Sequence, residues 1–121
     1  MKFLVVDDSS TMRRIVINTL TKAGYTEFAE AGNGSEAVEQ LTRHPVDCVI
    51  TDWNMPVMNG LEFVRAMRAN ATTKSVPVLM VTTNAAKDDI LEALKAGVND
   101  YVIKPFTPDV IKAKVTAVMS K

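Results

Sequence analysis

The stretch Phe3-Leu4-Val5-Val6-Asp7-Asp8-Ser9-Ser10 runs four apolar residues straight into two adjacent carboxylates and then into hydroxyls. An unbroken apolar run suits a strand covered on both faces, because a strand with one wet face would alternate. The acids at its end are costly, since they resist burial and repel each other. A single acid there could cap a following helix. Ser9 or Ser10 would cap as well, so the doubled acid needs another reason.

Working outward from Lys2–Val6, further strands are predicted at residues 26–31, 47–51, 76–81 and 101–103. Amphipathic stretches lie between them. Met12, Ile15, Val16, Thr19, Leu20 and Ala23 share one helical face. Gly34–Arg43 reads as a shorter helix around Ala37, Val38 and Leu41. Leu61, Val64 and Met67 mark another helix, Ile90, Leu94 and Val98 the edge of the next, and Val110, Ile111, Val115 and Val118 the last. Gly24 and Gly97 follow helical patterns as left-handed C-terminal residues would. Thr107-Pro108-Asp109 offers an N-cap, a first-turn proline and an acid that complements the helix dipole. Strand and helix alternate five times, and short right-handed crossovers make that a doubly wound α/β domain with a parallel sheet.

Composition narrows the function. The 121 residues suit one domain, and 14 basic residues balance 14 acidic ones, against a general nucleic-acid binder. No apolar run approaches the ~20 residues of a membrane span, and no secretory signal pattern opens the chain. Cys48, the single cysteine, sits in an apolar run and reads as an inert buried thiol in a cytoplasmic protein. The neutral balance and the lack of a heptad pattern favour a monomer.

In open α/β sheets ligands bind beyond the C-terminal ends of the strands. Asp7-Asp8, Asp52, Thr82-Thr83 and Lys104 all fall at such ends. Each has a bland reading as a cap, a turn residue, a strand-end hydroxyl or a solvated charge. Together they form a constellation that chance rarely assembles. Two carboxylates ~4 Å apart repel by roughly 4 kcal/mol at an effective dielectric of 20, so three acids should raise each other's pKa values or hold a cation. Carboxylate oxygens suit Mg²⁺ or Mn²⁺. With such an ion and Lys104 the formal charges balance, which would leave Asp52 ionised and nucleophilic.

These residues resemble the response-regulator receiver family along the whole chain. The resemblance rests on Asp7-Asp8-Ser9-Ser10-Thr11-Met12-Arg13-Arg14, Thr51-Asp52-Trp53-Asn54-Met55-Pro56, Met58-Asn59-Gly60, Met80-Val81-Thr82 and Tyr101-Val102-Ile103-Lys104-Pro105-Phe106. The first two of these point to the chemotaxis regulators within the family. The resemblance implies a flavodoxin-like (βα)5 fold with strand order 2-1-3-4-5, forming a single stand-alone receiver without an effector domain. It makes Asp52 the phosphoacceptor for a histidine kinase, with Mg²⁺ held by Asp7, Asp8, Asp52 and the backbone carbonyl of Asn54. Lys104 would contact the phosphoryl group, and a cis peptide is expected before Pro105. Thr82 and Tyr101 would transmit the switch to a face including Ala85, Ile90, Tyr101, Ile103, Phe106 and Lys114. That face would bind the flagellar motor switch or another protein target. Ser9, Asn54 and Asn84 would tune the phosphoryl lifetime, with or without a phosphatase. Ser9, Thr83 and Asn84 depart from the residues common in the chemotaxis group.

Three rivals compete. A haloacid dehalogenase-like phosphatase also uses a nucleophilic Asp, but it needs a second acid two residues on, where Asn54 stands. A flavodoxin-like FMN carrier would not place Asp7-Asp8 in its phosphate loop. A single-domain phosphorelay intermediate would keep the receiver chemistry and change only the recipient. His44, beside Pro45 at the end of a weak helix, reads as a surface residue and not a phosphodonor.

Overall fold

Strand and helix alternate throughout the computed structural model, which describes residues 1–83 and 86–120. The elements are β1 (Lys2–Val6), α1 (Ser10–Lys22), β2 (Glu27–Ala31), α2 (Gly34–Arg43), β3 (Cys48–Asp52), α3 (Gly60–Ala69), β4 (Val78–Thr82), α4 (Lys87–Ala96), β5 (Asp100–Ile103) and α5 (Pro108–Met119). All paired strands are parallel, in the order β2-β1-β3-β4-β5. Every residue of the central strands β3 and β4 is buried, as continuous apolar runs require, whereas the edge strand β2 is mostly half-buried or exposed.

The pleat sorts the strand residues into two cores. Leu4, Val6, Val49, Val78 and Met80 pack with Phe63, Val64 and Met67 of α3. Phe3, Val5, Cys48, Ile50, Leu79, Val81 and Val102 pack with Val16 and Leu20 of α1 and Ile111, Val115 and Val118 of α5. Burial in this second core pushes the Cys48 thiol up to about 12, and the neighbouring Asp47 charge adds to it. The thiol is therefore inert at neutral pH.

The helix ends follow local chemistry. Gly24 (φ 105°) and Gly97 (φ 113°) lie in the left-handed region where α1 and α4 stop. Beyond them Tyr25 and Val98 donate back to the carbonyls of Leu20 and Ala93, completing the expected C-terminal motif. Thr107 caps α5 by accepting from the Val110 amide, with Pro108 as the first helical residue. The Lys104–Pro105 peptide is cis.

Several apolar positions depart from the expected helical faces. Ile15, Leu94 and Val110 are 43%, 42% and 40% exposed. Ala93 is the residue α4 buries, and Val98 reaches the core only after the helix has ended. Ile90, Leu94 and Val98 thus trace the edge of the helix, as expected, and Ala93 its inward face. β3 and β4 also extend one residue further than expected, so Asp52 and Thr82 are the last residues of their strands. Among the described residues no helix is long and apolar enough to cross a membrane.

Candidate functional site

The rows that build the α1/α5 core also deliver the site. Asp7 continues the row Phe3, Val5; Asp52 continues Cys48, Ile50; and Lys104 follows Val102 in the same alternation. Asp7 and Asp52 are 4% and 8% exposed, while Asp8 is open to solvent. Oxygens of Asp7, Asp8 and Asp52 lie within 4.8 Å of one another. The Lys104 ammonium stands 3.5 Å from Asp7 Oδ2 and 3.4 Å from Asp52 Oδ1. One cation among three acids leaves a formal surplus of two negative charges. Beneath them the wall is lined by Met12, Val16, Ile50 and Val81.

The two buried carboxylates are each aimed by a backbone amide. Asp7 Oδ1 accepts from the Ser9 amide at 2.9 Å, and Asp52 Oδ1 from the Trp53 amide at 2.8 Å. Burial holds the Asp7 carboxyl above the usual carboxylate range. The Ser9 amide opposes that shift, the Asp52 charge adds to it, and Lys104 opposes it. Ser9 also caps α1, accepting from the Met12 amide at 3.1 Å, so Asp8 is free of capping duty. An oxygen-only donor set with surplus negative charge fits a hard divalent ion. His44 and Cys48 are elsewhere, the first exposed after α2 and the second buried in the core.

Two glycines let the loops close around the acids, and the sequence gives no mechanical hint of either. A Cβ on Gly60 would stand 2.1 Å from the Asp52 carbonyl oxygen. A Cβ on Gly34 would stand 2.7 Å from the Met58 carbonyl oxygen, which accepts from the Gly34 amide at 2.9 Å. Arg13 is a third such residue. Its guanidinium donates to the Asp7 carbonyl and to Glu30 Oε1.

The other expected residues that the structure describes lie around this centre. Thr82 is buried and belongs to the row Val78, Met80, on the opposite side of the pleat from Asp52; its carbonyl accepts from the Lys104 amide at 2.8 Å. Tyr101 and Ile103 pair in register with Met80 and Thr82 and are half-buried. Lys114 spans Asp100, 3.1 Å from both carboxylate oxygens, and lies 5.5 Å from the centre of the Tyr101 ring. Ile90 is half-buried, and Phe106 packs against the α1/α5 core. Asn54 is exposed just beyond Trp53. Asn84 and Ala85 lie outside the described residues.

Comparison with known proteins agrees with this geometry. Residues 3–116 match the response regulator receiver domain. A chemotaxis protein CheY homolog of Campylobacter jejuni is 54% identical over 120 residues, 98% of this chain and 92% of that protein. Chemotaxis protein CheY1 of Helicobacter pylori is 52% identical over 120 residues, 98% of this chain and 97% of its own length. The high resolution structure of the chemotaxis response regulator CheY4 of Vibrio cholerae superposes with a TM-score of 0.90 at 38% identity, covering 97% of each chain. With the acids and the lysine at the strand ends where that fold carries its ligands, the chain belongs to the response regulator receiver family.

Proposed function

We propose that the protein is a phosphorylation-switched receiver of a two-component chemotaxis system, acting in the cytoplasm as a signalling protein and not as a turnover enzyme. The observation that supports this most directly is the cluster of Asp7, Asp8 and Asp52 oxygens within 4.8 Å, with Lys104 facing two of the three acids. Asp52 accepts the phosphoryl group. A carboxylate oxygen attacks phosphorus of a phosphohistidine or acetyl phosphate, the bond to the leaving nitrogen or oxygen breaks, and an acyl phosphate forms. The Trp53 amide and Lys104 both address Oδ1, which leaves Oδ2 to attack. Lys104 then follows the charge onto the phosphoryl oxygens.

Asp7, Asp8, Asp52 and the Asn54 carbonyl would hold Mg²⁺, with Mn²⁺ as its nearest substitute. When bound, the ion offsets the charge that gathers on the phosphoryl oxygens. Acyl phosphate replaces one negative charge by roughly two and adds acceptor oxygens. Thr82, at the end of the adjacent strand, responds to those oxygens, and Tyr101 carries the change to the face of α4, β5 and α5. Ile90, Ile103, Phe106 and Lys114 belong to that face, with Ala85. Its target is the flagellar motor switch, and its phosphodonor a chemotaxis histidine kinase. Ser9, Asn54 and Asn84 set how long the phosphoryl group lasts.

Radiolabelled acetyl phosphate with Mg²⁺ should label the wild type stoichiometrically and leave Asp52→Asn at background. Wild-type labelling of that variant would move the phosphoacceptor elsewhere.

A further inference from the structure

Arg13 occupies an electrostatically poor position. It is the fourth residue of α1, near the helix N-terminus, where the macrodipole disfavours a cation, and no acid shares that first turn. Its side chain is nonetheless only 19% exposed, because two specific partners hold it. Nε donates to Glu30 Oε1 on β2 at 2.9 Å, and Nη1 donates to the backbone carbonyl of Asp7.

That carbonyl has a particular place in the chain. The β1–β2 register ends at Val6 and Ala31, and the last backbone bond across it runs from the Asp7 amide to the Ala31 carbonyl at 3.1 Å. The Asp7 carbonyl belongs to the next peptide, the one joining Asp7 to Asp8. Its plane sets ψ of Asp7 and φ of Asp8, the torsions that govern how the two carboxylates stand to one another. We propose that Arg13 is a positioning residue that locks the Asp7–Asp8 peptide plane from β2, and so presets the paired carboxylates for a divalent cation. This rests on the metal reading of the acid cluster.

The proposal separates cleanly from a charge effect. If Arg13 acted only as a nearby cation, removing it would tighten metal binding by lessening repulsion. If it positions the peptide, removing it weakens binding although the site becomes more negative. Arg13→Lys keeps the charge but loses the planar fork that serves two partners at once. Trp53, beside Asp52, reports Mg²⁺ binding by fluorescence at two ionic strengths, below the melting range of every variant. Arg13→Gln and Arg13→Lys should each raise the Mg²⁺ Kd about tenfold, the effect expected of an outer partner of a metal ligand, and the loss should persist at high salt. Glu30→Ala, which leaves the Asp7 contact but removes the partner of Nε, should raise it about threefold. That variant decides the matter if the Arg13 variants fail to fold. Tighter binding in Arg13→Gln, or wild-type Kd in Arg13→Lys or Glu30→Ala, would overturn the positioning role and leave the metal site standing. A wild type with no saturable Mg²⁺ response would overturn both.

Discussion

Lys104 and Arg68 are half-buried cations at opposite ends of the sheet, and the two ends use them in opposite ways. At the C-terminal ends of the strands Lys104 faces Asp7 and Asp52 at 3.5 and 3.4 Å, and the surplus charge is left over. At the other end Arg68, from the last turn of α3, donates to the carbonyls of Thr73, Lys74, Val76 and Gly97 and to Asn99 Oδ1, at 2.7–3.3 Å. Asn99 Oδ1 also accepts from the Val78 amide, so the arginine ties α3 to the starts of β4 and β5. One end closes neutral acceptors around a fork of donors. The other sets a single lysine among the described residues against three carboxylates, which it neutralises only in part. The first end is tied together by internal hydrogen bonds, and the second carries the proposed site.

Breaking the closed end should have the largest effect. Burial lowers the Arg68 pKa, so the site favours the guanidinium only through its contacts, and those are many. Arg68→Met would strand several carbonyls that now share a charged donor. A charge-assisted bond contributes ~1.5–3 kcal/mol, and losses within one network do not add, so we expect a loss of about 3 kcal/mol in urea unfolding. Arg68→Lys should recover little of it, because an ammonium cannot span the same fork. A loss below about 1 kcal/mol would mean that the carbonyls find water instead.

The open end should respond with the opposite sign. Asp7→Asn keeps an acceptor for the Ser9 amide and removes one of the crowded charges, so with chelator present it should stabilise the fold by about 1 kcal/mol. The pH dependence follows from the same cause. Because the native Asp7 pKa is raised, the native state holds its proton more tightly than the unfolded chain does. Wild-type stability should therefore fall as pH rises from near 3.8 through the native pKa, and the variant should lack that component. Mg²⁺ should invert the ranking, since only an intact acid cluster gains by binding it. A variant less stable than wild type in chelator would show that the Lys104 contact outweighs the repulsion.

How much of each end could be read beforehand follows from the kind of partner involved. Asp7, Asp8 and Asp52 were legible because like charges at strand ends have no cheap structural explanation, and Lys104 because it is the opposite charge at another such end. The strand order and the cis peptide before Pro105 came with the family resemblance. Arg68 and Arg13 were not legible in the same way, since both bind backbone carbonyls, which every residue carries and no side-chain pattern betrays. The part played by Gly34, and by Gly60 although it stands in a family motif, was hidden for a related reason: what excludes a Cβ there is a carbonyl oxygen from another loop. The exposed Ile15, Leu94 and Val110 misled in the other direction. An apolar residue at the rim of a helical face obeys the periodicity whether or not anything covers it.

The smallest effect concerns strain at the open end, in the loop that carries the chain from Asp52 to Gly60. Val57 there has φ 68°, in the left-handed region, and the Met58 amide donates to the Pro56 carbonyl at 2.7 Å across it. A β-branched side chain is poorly suited to that conformation, which costs roughly 1–2 kcal/mol for an ordinary residue. Val57 recovers little by packing, being 83% exposed. Asn tolerates the left-handed region, so Val57→Asn should raise stability by about 0.5–1 kcal/mol in urea unfolding while Asp52 labels with acetyl phosphate as before. Unchanged stability would show that the turn relaxes in solution. A gain in stability with slower labelling would mean that strain in this turn helps hold the Asp52 side of the site open, placing part of the cost of the chemistry in the loop and not in the acids alone.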